Sequence, residues 1–170
     1  MPTLFVDGLA VEDTWTLVDG EQPIPDGEDV IVTLPVYQAN RDKLLARNDG
    51  RVGVHLDPLE PVEAIADDLD HLALVSLDFP SFADGTSFSK ARLLRDRHGF
   101  EGEVRATGDI RIDQVSHMQR CGFDALSISH QATINSLIEV KDPSLKLYYQ
   151  PALGDSDTRI SGKAWARRAG

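Results

Sequence analysis

The strongest constraint on this chain is a rhythm. Between Leu72 and Ser129, three apolar, strand-like runs alternate with two helix-like runs, and the unusual polar residues sit at the joints. The rhythm extends in both directions. Val30–Leu34, Val52–Leu56, Leu72–Leu77, Glu103–Thr107 and Asp124–Ile128 read as strands, the first of them β-branched and apolar, as expected of a strand buried on both faces. Val36–Arg47, Pro61–Leu69, Ser87–His98, Ile110–Cys121 and Gln131–Glu139 read as the helices between and after them, with Gly99 and Gly122 closing two. Strand-to-strand spacing of about 20 to 30 residues suits βα units with short loops. The fold class is therefore α/β: about five consecutive βα units around a parallel sheet, with right-handed crossovers. An open doubly wound sheet and a partial (β/α) barrel both satisfy the pattern.

Before this core, Leu4–Val6 and Trp15–Val18 read as short strands around Asp7-Gly8, expected to pair as an antiparallel ribbon, and Pro23, Pro25 and Gly27 mark a linker. The expected organisation is a single α/β domain over 1–153, made of an N-terminal β extension (1–28) and the βα core (29–153). Leu145–Tyr149 is a possible edge strand, and 154–170 is a polar tail with a basic end that should be flexible.

Several classes are excluded. No apolar run approaches the roughly 20 residues of a membrane span, and the first residues carry no basic signal-peptide region. Cys121 is the one cysteine, so no internal disulfide and no multi-cysteine metal site can form within the chain. These features together point to the cytoplasm. The net charge of −11 argues against nucleic-acid binding. Residues 1–29 hold eight acids and no Lys or Arg, which reads either as a solvated edge or as a docking face for a basic partner. An exposed sheet edge or an apolar barrel mouth would also invite a homodimer.

Chemistry in parallel α/β folds gathers at the carboxyl ends of the strands. Those ends carry His55 and Asp57, then Asp78, then Gly108 and Asp109, then Ser129 and His130. Helix capping accounts for any single one of them. The recurring Asp residues raise the alternative of a Mg²⁺ site, although no ligand spacing fixes one. Asp84-Gly85-Thr86-Ser87 is a turn feeding a helix start, suited to a cap or to cradling an oxyanion. On the helix after it, Phe88, Ala91 and Leu94 form the apolar face. Arg95 falls within that face, while Lys90 and Arg97 fall opposite. Arg95 then needs a carboxylate such as Asp78 or Asp109, or else clamps an anionic ligand. Arg105, inside a strand, poses the same choice. Cys121 reads as a packed residue rather than a nucleophile. No motif for a nucleotide, flavin, haem or iron–sulfur cluster is present, and no G-x-S-x-G elbow.

The run from Asp84 to Leu126 carries DG…S.A.LLR, G.E.RA.GD, DQ and R-C-G-F-D-A, and resembles the signature of the bacterial domain-of-unknown-function family "nine-three-four". Members carry the label of probable oxidoreductases involved in sulfite reduction. Their genes lie beside those of sulfite reductase and phosphoadenylylsulfate reductase. The resemblance implies an accessory role in assimilatory sulfate reduction with one of those reductases as partner. Its alternative is a small enzyme or anion-binding protein for a sulfur oxyanion or adenylylated sulfate. The positions it implies are Asp84, Gly85, Ser89, Arg95, Arg105, Gly108, Asp109, Asp113 and Gln114. Thr86 departs from the family pattern, which has a basic residue there.

Overall fold

The computed structural model describes residues 2–81 and 85–139. Eight strands form one sheet: β1 (Thr3–Val6), β2 (Leu9–Val11), β3 (Thr16–Val18), β4 (Val30–Thr33), β5 (Val52–Leu56), β6 (Leu74–Phe79), β7 (Glu103–Gly108) and β8 (Ala125–Ile128). Their order across the sheet is β2-β1-β8-β7-β6-β5-β4-β3. From β3 to β8 each strand pairs in parallel with the next in sequence. β1 pairs antiparallel with both β2 and β8, so the sheet is mixed rather than purely parallel.

The strand order decides between the two architectures that the sequence left open. A doubly wound sheet reverses its order at an internal switch point. This one never does, and consecutive right-handed crossovers then keep the helices on one face. The chain also forces the sheet to curl. β2 and β3 lie at opposite edges, yet only residues 12–15 separate them. Laid flat, eight strands would be about 34 Å broad at the usual spacing, whereas the five Cα steps from Val11 to Thr16 reach roughly 18 Å. The result is a half-barrel whose open side is spanned by the strap 12–15.

The N-terminal pairing corrects the expected ribbon. Asp7 (φ 52°) and Gly8 (φ 78°) both take the left-handed conformation of a tight two-residue hairpin turn. β1 therefore folds back on Leu9–Val11, and Thr16–Val18 joins β4 at the far edge. The candidate edge strand Leu145–Tyr149, the tail 154–170 and Asp84 lie outside the described residues.

The helices are shorter than their sequence patterns. The expected Val36–Arg47 helix is two pieces, α1 (Leu34–Ala39) and α2 (Arg41–Leu45), broken at Asn40, and Pro61–Leu69 is realised as two 3₁₀ turns, Val62–Ala64 and Ala66–His71. Asp68 ties these elements together, accepting from Tyr37 Oη at 2.8 Å and from both sides of the Arg41 fork at 2.7 and 2.6 Å. α3 (Thr86–Arg92) continues as a π-helical turn through Arg97, while α4 (Ile112–Cys121) ends on Gly122 at φ 102° and α5 is Gln131–Glu139.

Strand pleating divides the side chains. The outer face, under the helices, holds Val30, Val32, Val54, Leu56, Val75, Leu77, Phe79, Val104, Ala106, Leu126 and Ile128, which pack with Ala91, Leu94, Val115 and Met118 into the main core. The inner face follows from the register: Ile31, Gly53, Leu74 and Glu103 in one row, Thr33, His55, Ser76, Arg105 and Ala125 in the next, then Asp78, Thr107 and Ser127. A closed (β/α) barrel fills that space with branched aliphatic residues. This chain fills much of it with polar groups.

Candidate functional site

The inner-face polar belt opens at the carboxyl ends of the strands. His55 occupies the end of β5, its Nδ1 3.1 Å from Ser76 Oγ and its Nε2 3.4 Å from Asp57 Oδ1. With Nε2 protonated toward Asp57, Nδ1 accepts the Ser76 hydroxyl and the ring is held from both sides. The order Ser–His–Asp looks like a nucleophile relay, but Ser76 is only 1% exposed and lies mid-strand, so it orients the ring instead of attacking a substrate.

Asp78 stands beside this group on β6. Burial pushes its carboxyl above the ordinary value of 3.8; the His55 ring and a Thr107 hydroxyl bond act in the opposite direction, and Asp57 reinforces the rise. Its backbone carbonyl accepts the Ser87 hydroxyl at 2.6 Å, which pins the start of α3 to the strand end. Lys90 is not on the solvent side of α3. It is buried, and its Nζ donates to the Asp57 carbonyl at 2.5 Å, because the helix leans over the strand ends and draws the long side chain inward.

β7 ends in a turn that only glycine permits. Gly108 has φ 108°, and a Cβ there would lie 2.3 Å from Phe79 O and 3.1 Å from Asp78 Oδ1. This close approach brings the next loop against Asp78, and Ser129 Oγ donates to the Gly108 carbonyl from the end of β8. In that loop Arg111 donates from Nη2 to Asp109 Oδ2 at 3.1 Å and from Nη1 to His130 Nε2 at 3.0 Å. His130 Nδ1 accepts the Thr133 N–H at 3.3 Å and lies 2.9 Å from Thr133 Oγ1 in the first turn of α5. Arg111, Ile112, Asp113, His130, Ala132, Thr133 and Ser136 line a cleft of about 490 Å³ between the N-termini of α4 and α5. Gln114 accepts the Arg111 N–H at 3.0 Å and fixes the entry to α4.

The other expected positions lie apart from this rim. Arg95 does not reach Asp78 or Asp109. It is buried behind the sheet, where Nε donates to Gly122 O at 3.0 Å, Nη1 to Phe100 O and Gly102 O at 2.5 and 2.8 Å, and Nη2 to Asp124 Oδ2 at 2.5 Å. Arg105 lies inside the half-barrel and pairs with Asp13 and Glu103. Gly85 precedes α3 without a side-chain cap, and Ser89 is exposed on that helix. Cys121 is buried among apolar residues, and burial raises its thiol above the ordinary value. Among the described residues no cluster of His, Cys, Asp and Glu has metal-holding geometry. No described helix is long and apolar enough to cross a membrane.

Sequence reasoning missed Arg111, Lys90, Ser76 and Asp13. Period-2 alternation sorts Ser76 and Arg105 onto faces of their strands, but that they are neighbours follows only from the register, and Arg111 emerges only once the β7 turn is seen to swing it toward His130.

A curled, mostly parallel α/β half-barrel with polar strand ends defines the class. The chain belongs to the bacterial proteins of unknown function DUF934, whose family model matches residues 53–159, from β5 past the end of α5. None of the curated proteins matches the chain.

Proposed function

We propose that this protein binds a small oxyanion-bearing ligand at the carboxyl-end rim of the half-barrel, as a component of assimilatory sulfate or sulfite reduction. The observation that carries the reading is the meeting of Arg111 and His130 over a cleft at the paired N-termini of α4 and α5. Helix N-termini and guanidinium groups both favour anions. The sulfur chemistry rests on the resemblance carried by residues 84–126, which points to a sulfur oxyanion or adenylylated sulfate as ligand. Calorimetric titration with sulfate, sulfite, adenylylsulfate and phosphoadenylylsulfate tests it. One of these should bind, and Arg111→Ala should weaken that binding by tenfold or more, in line with the loss of one charge-assisted contact. Absence of binding across the panel would reject the rim site.

A second reading is docking to sulfite reductase or phosphoadenylylsulfate reductase. Leu9, Val11 and Leu17 are exposed at the two sheet edges, close in sequence to Glu12, Asp13, Asp19 and Glu21. Exposed apolar side chains flanked in sequence by acids suit a basic-rimmed partner surface. Co-elution with either reductase at low salt, lost on Leu17→Asp, supports it; separate elution rejects it.

A further inference from the structure

The half-barrel contains a second cationic centre that the rim does not use. Arg105 projects from β7 into the interior, in register with Ser76 of β6 and Ala125 of β8. Its side chain is 2% exposed. Nε donates to Glu103 Oε1 and Nη1 to Asp13 Oδ2, each at 2.8 Å. Nη2 has no hydrogen-bond partner among the described residues.

The two carboxylates differ in kind. Glu103 belongs to the same strand and is part of the wall. Asp13 arrives from the strap, which forms no ladder of its own and whose residues Glu12, Asp13 and Thr14 are exposed. The strap is held by few contacts: the Asp13–Arg105 pair, an Asp13 Oδ1 bond from the Trp15 N–H at 3.1 Å, and the Trp15 ring over Arg51 at 4.8 Å. A segment with so little buried surface opens at low free-energy cost.

We propose that Arg105 is an internal binding site for a small oxyanion, and that Asp13 is a tethered competitor that occupies it until the strap lifts. While Asp13 is in place, two carboxylates face one guanidinium and repel an incoming anion. Once it withdraws, Glu103 alone remains on Nε of Arg105, and the Nη1 and Nη2 edge is presented for a two-point contact. Ser76 and His55, next along the same row, line the wall beside it. The site is separate from the rim and needs neither Arg111 nor His130.

The test uses the full chain and inorganic sulfate as probe, measured by calorimetry in an Arg111→Ala background so that rim binding does not contribute. Asp13→Asn keeps an acceptor oxygen and removes the competing charge. It should bind sulfate at least about tenfold more tightly than the parent, since relieving like-charge contact has effects of that order. Adding Arg105→Lys, which cannot make the two-point contact, should reverse the gain. Hydrogen exchange on the Asp13-intact protein provides the second measurement: saturating sulfate should raise exchange at the Trp15 and Thr16 amides. Equal or weaker sulfate affinity in Asp13→Asn, a gain that survives Arg105→Lys, or unchanged strap exchange under saturating sulfate would each overturn the proposal. If Asp13→Asn fails to fold, the exchange measurement decides alone, and sulfate that binds no variant also overturns it.

Discussion

At the scale of single residues, environment sets two carboxylates apart. Asp68 accepts three short hydrogen bonds and is held below its ordinary value, first by the Arg41 bond, with burial opposing. Asp78 is pushed the other way by burial. The two have opposite linkage to pH. A lowered carboxyl stabilises the fold above its ordinary value and loses that contribution as pH falls through its folded-state value. A raised carboxyl weakens the fold at neutral pH, and the penalty fades as pH falls through its raised folded-state value. Asp78→Asn should therefore raise the melting temperature by a few degrees at pH 7, and the gain should shrink as the pH is lowered toward 4 and the native carboxyl begins to take up its own proton. A gain of constant size across that range would mean that Asp78 is not the titrating group. Asp78 was visible in sequence as a strand-end acid. Its burial was not, because burial depends on how α3 and the Gly108 turn close over it.

At the scale of elements, periodicity located most strands to within two residues and placed Ala91, Leu94 and Cys121 on packed faces. It failed where tertiary demands override local pattern. Asn40 splits the first helix so that Arg41 can turn back onto Asp68, and the helix expected over 61–69 tightens into 3₁₀ turns. The π-helical turn after α3 is a third case. It brings Arg95 inward, where one side chain bonds the loop before β7 at Phe100 and Gly102 and the turn before β8 at Gly122 and Asp124. An Arg on an apolar face was legible in sequence. Its partners were not, since they come from two loops distant along the chain. Arg95→Met should cost about 3–5 kcal/mol, the usual effect of breaking a buried charged network by removing one partner. Urea unfolding measures it. A loss below about 1 kcal/mol would show that the carbonyls find other donors.

At the scale of the whole molecule, the curl depends on sequence order more than on any residue pattern. The five βα units were readable, but their rhythm is the same in an open sheet and in a barrel. What separates the two is that residues 9–18 contribute a strand to each edge, a fact of pairing that hydrophobicity does not encode. Charge gives a further consequence. The chain carries 28 acids against 17 Lys and Arg, for a net −11. The ion pairs that tie elements together are shielded on at least one side, with side-chain exposures of 0% for Arg95, 2% for Arg105 and 7% for Asp68. Salt therefore screens the repulsion among surface acids more than it weakens the pairs that hold the fold. As the Debye length falls from about 30 Å at 0.01 M to about 8 Å at 0.15 M sodium chloride, the melting temperature should rise by a few degrees. A fall over the same range would mean that exposed pairs such as Arg51–Asp29, not the shielded ones, dominate the electrostatic stability of the half-barrel.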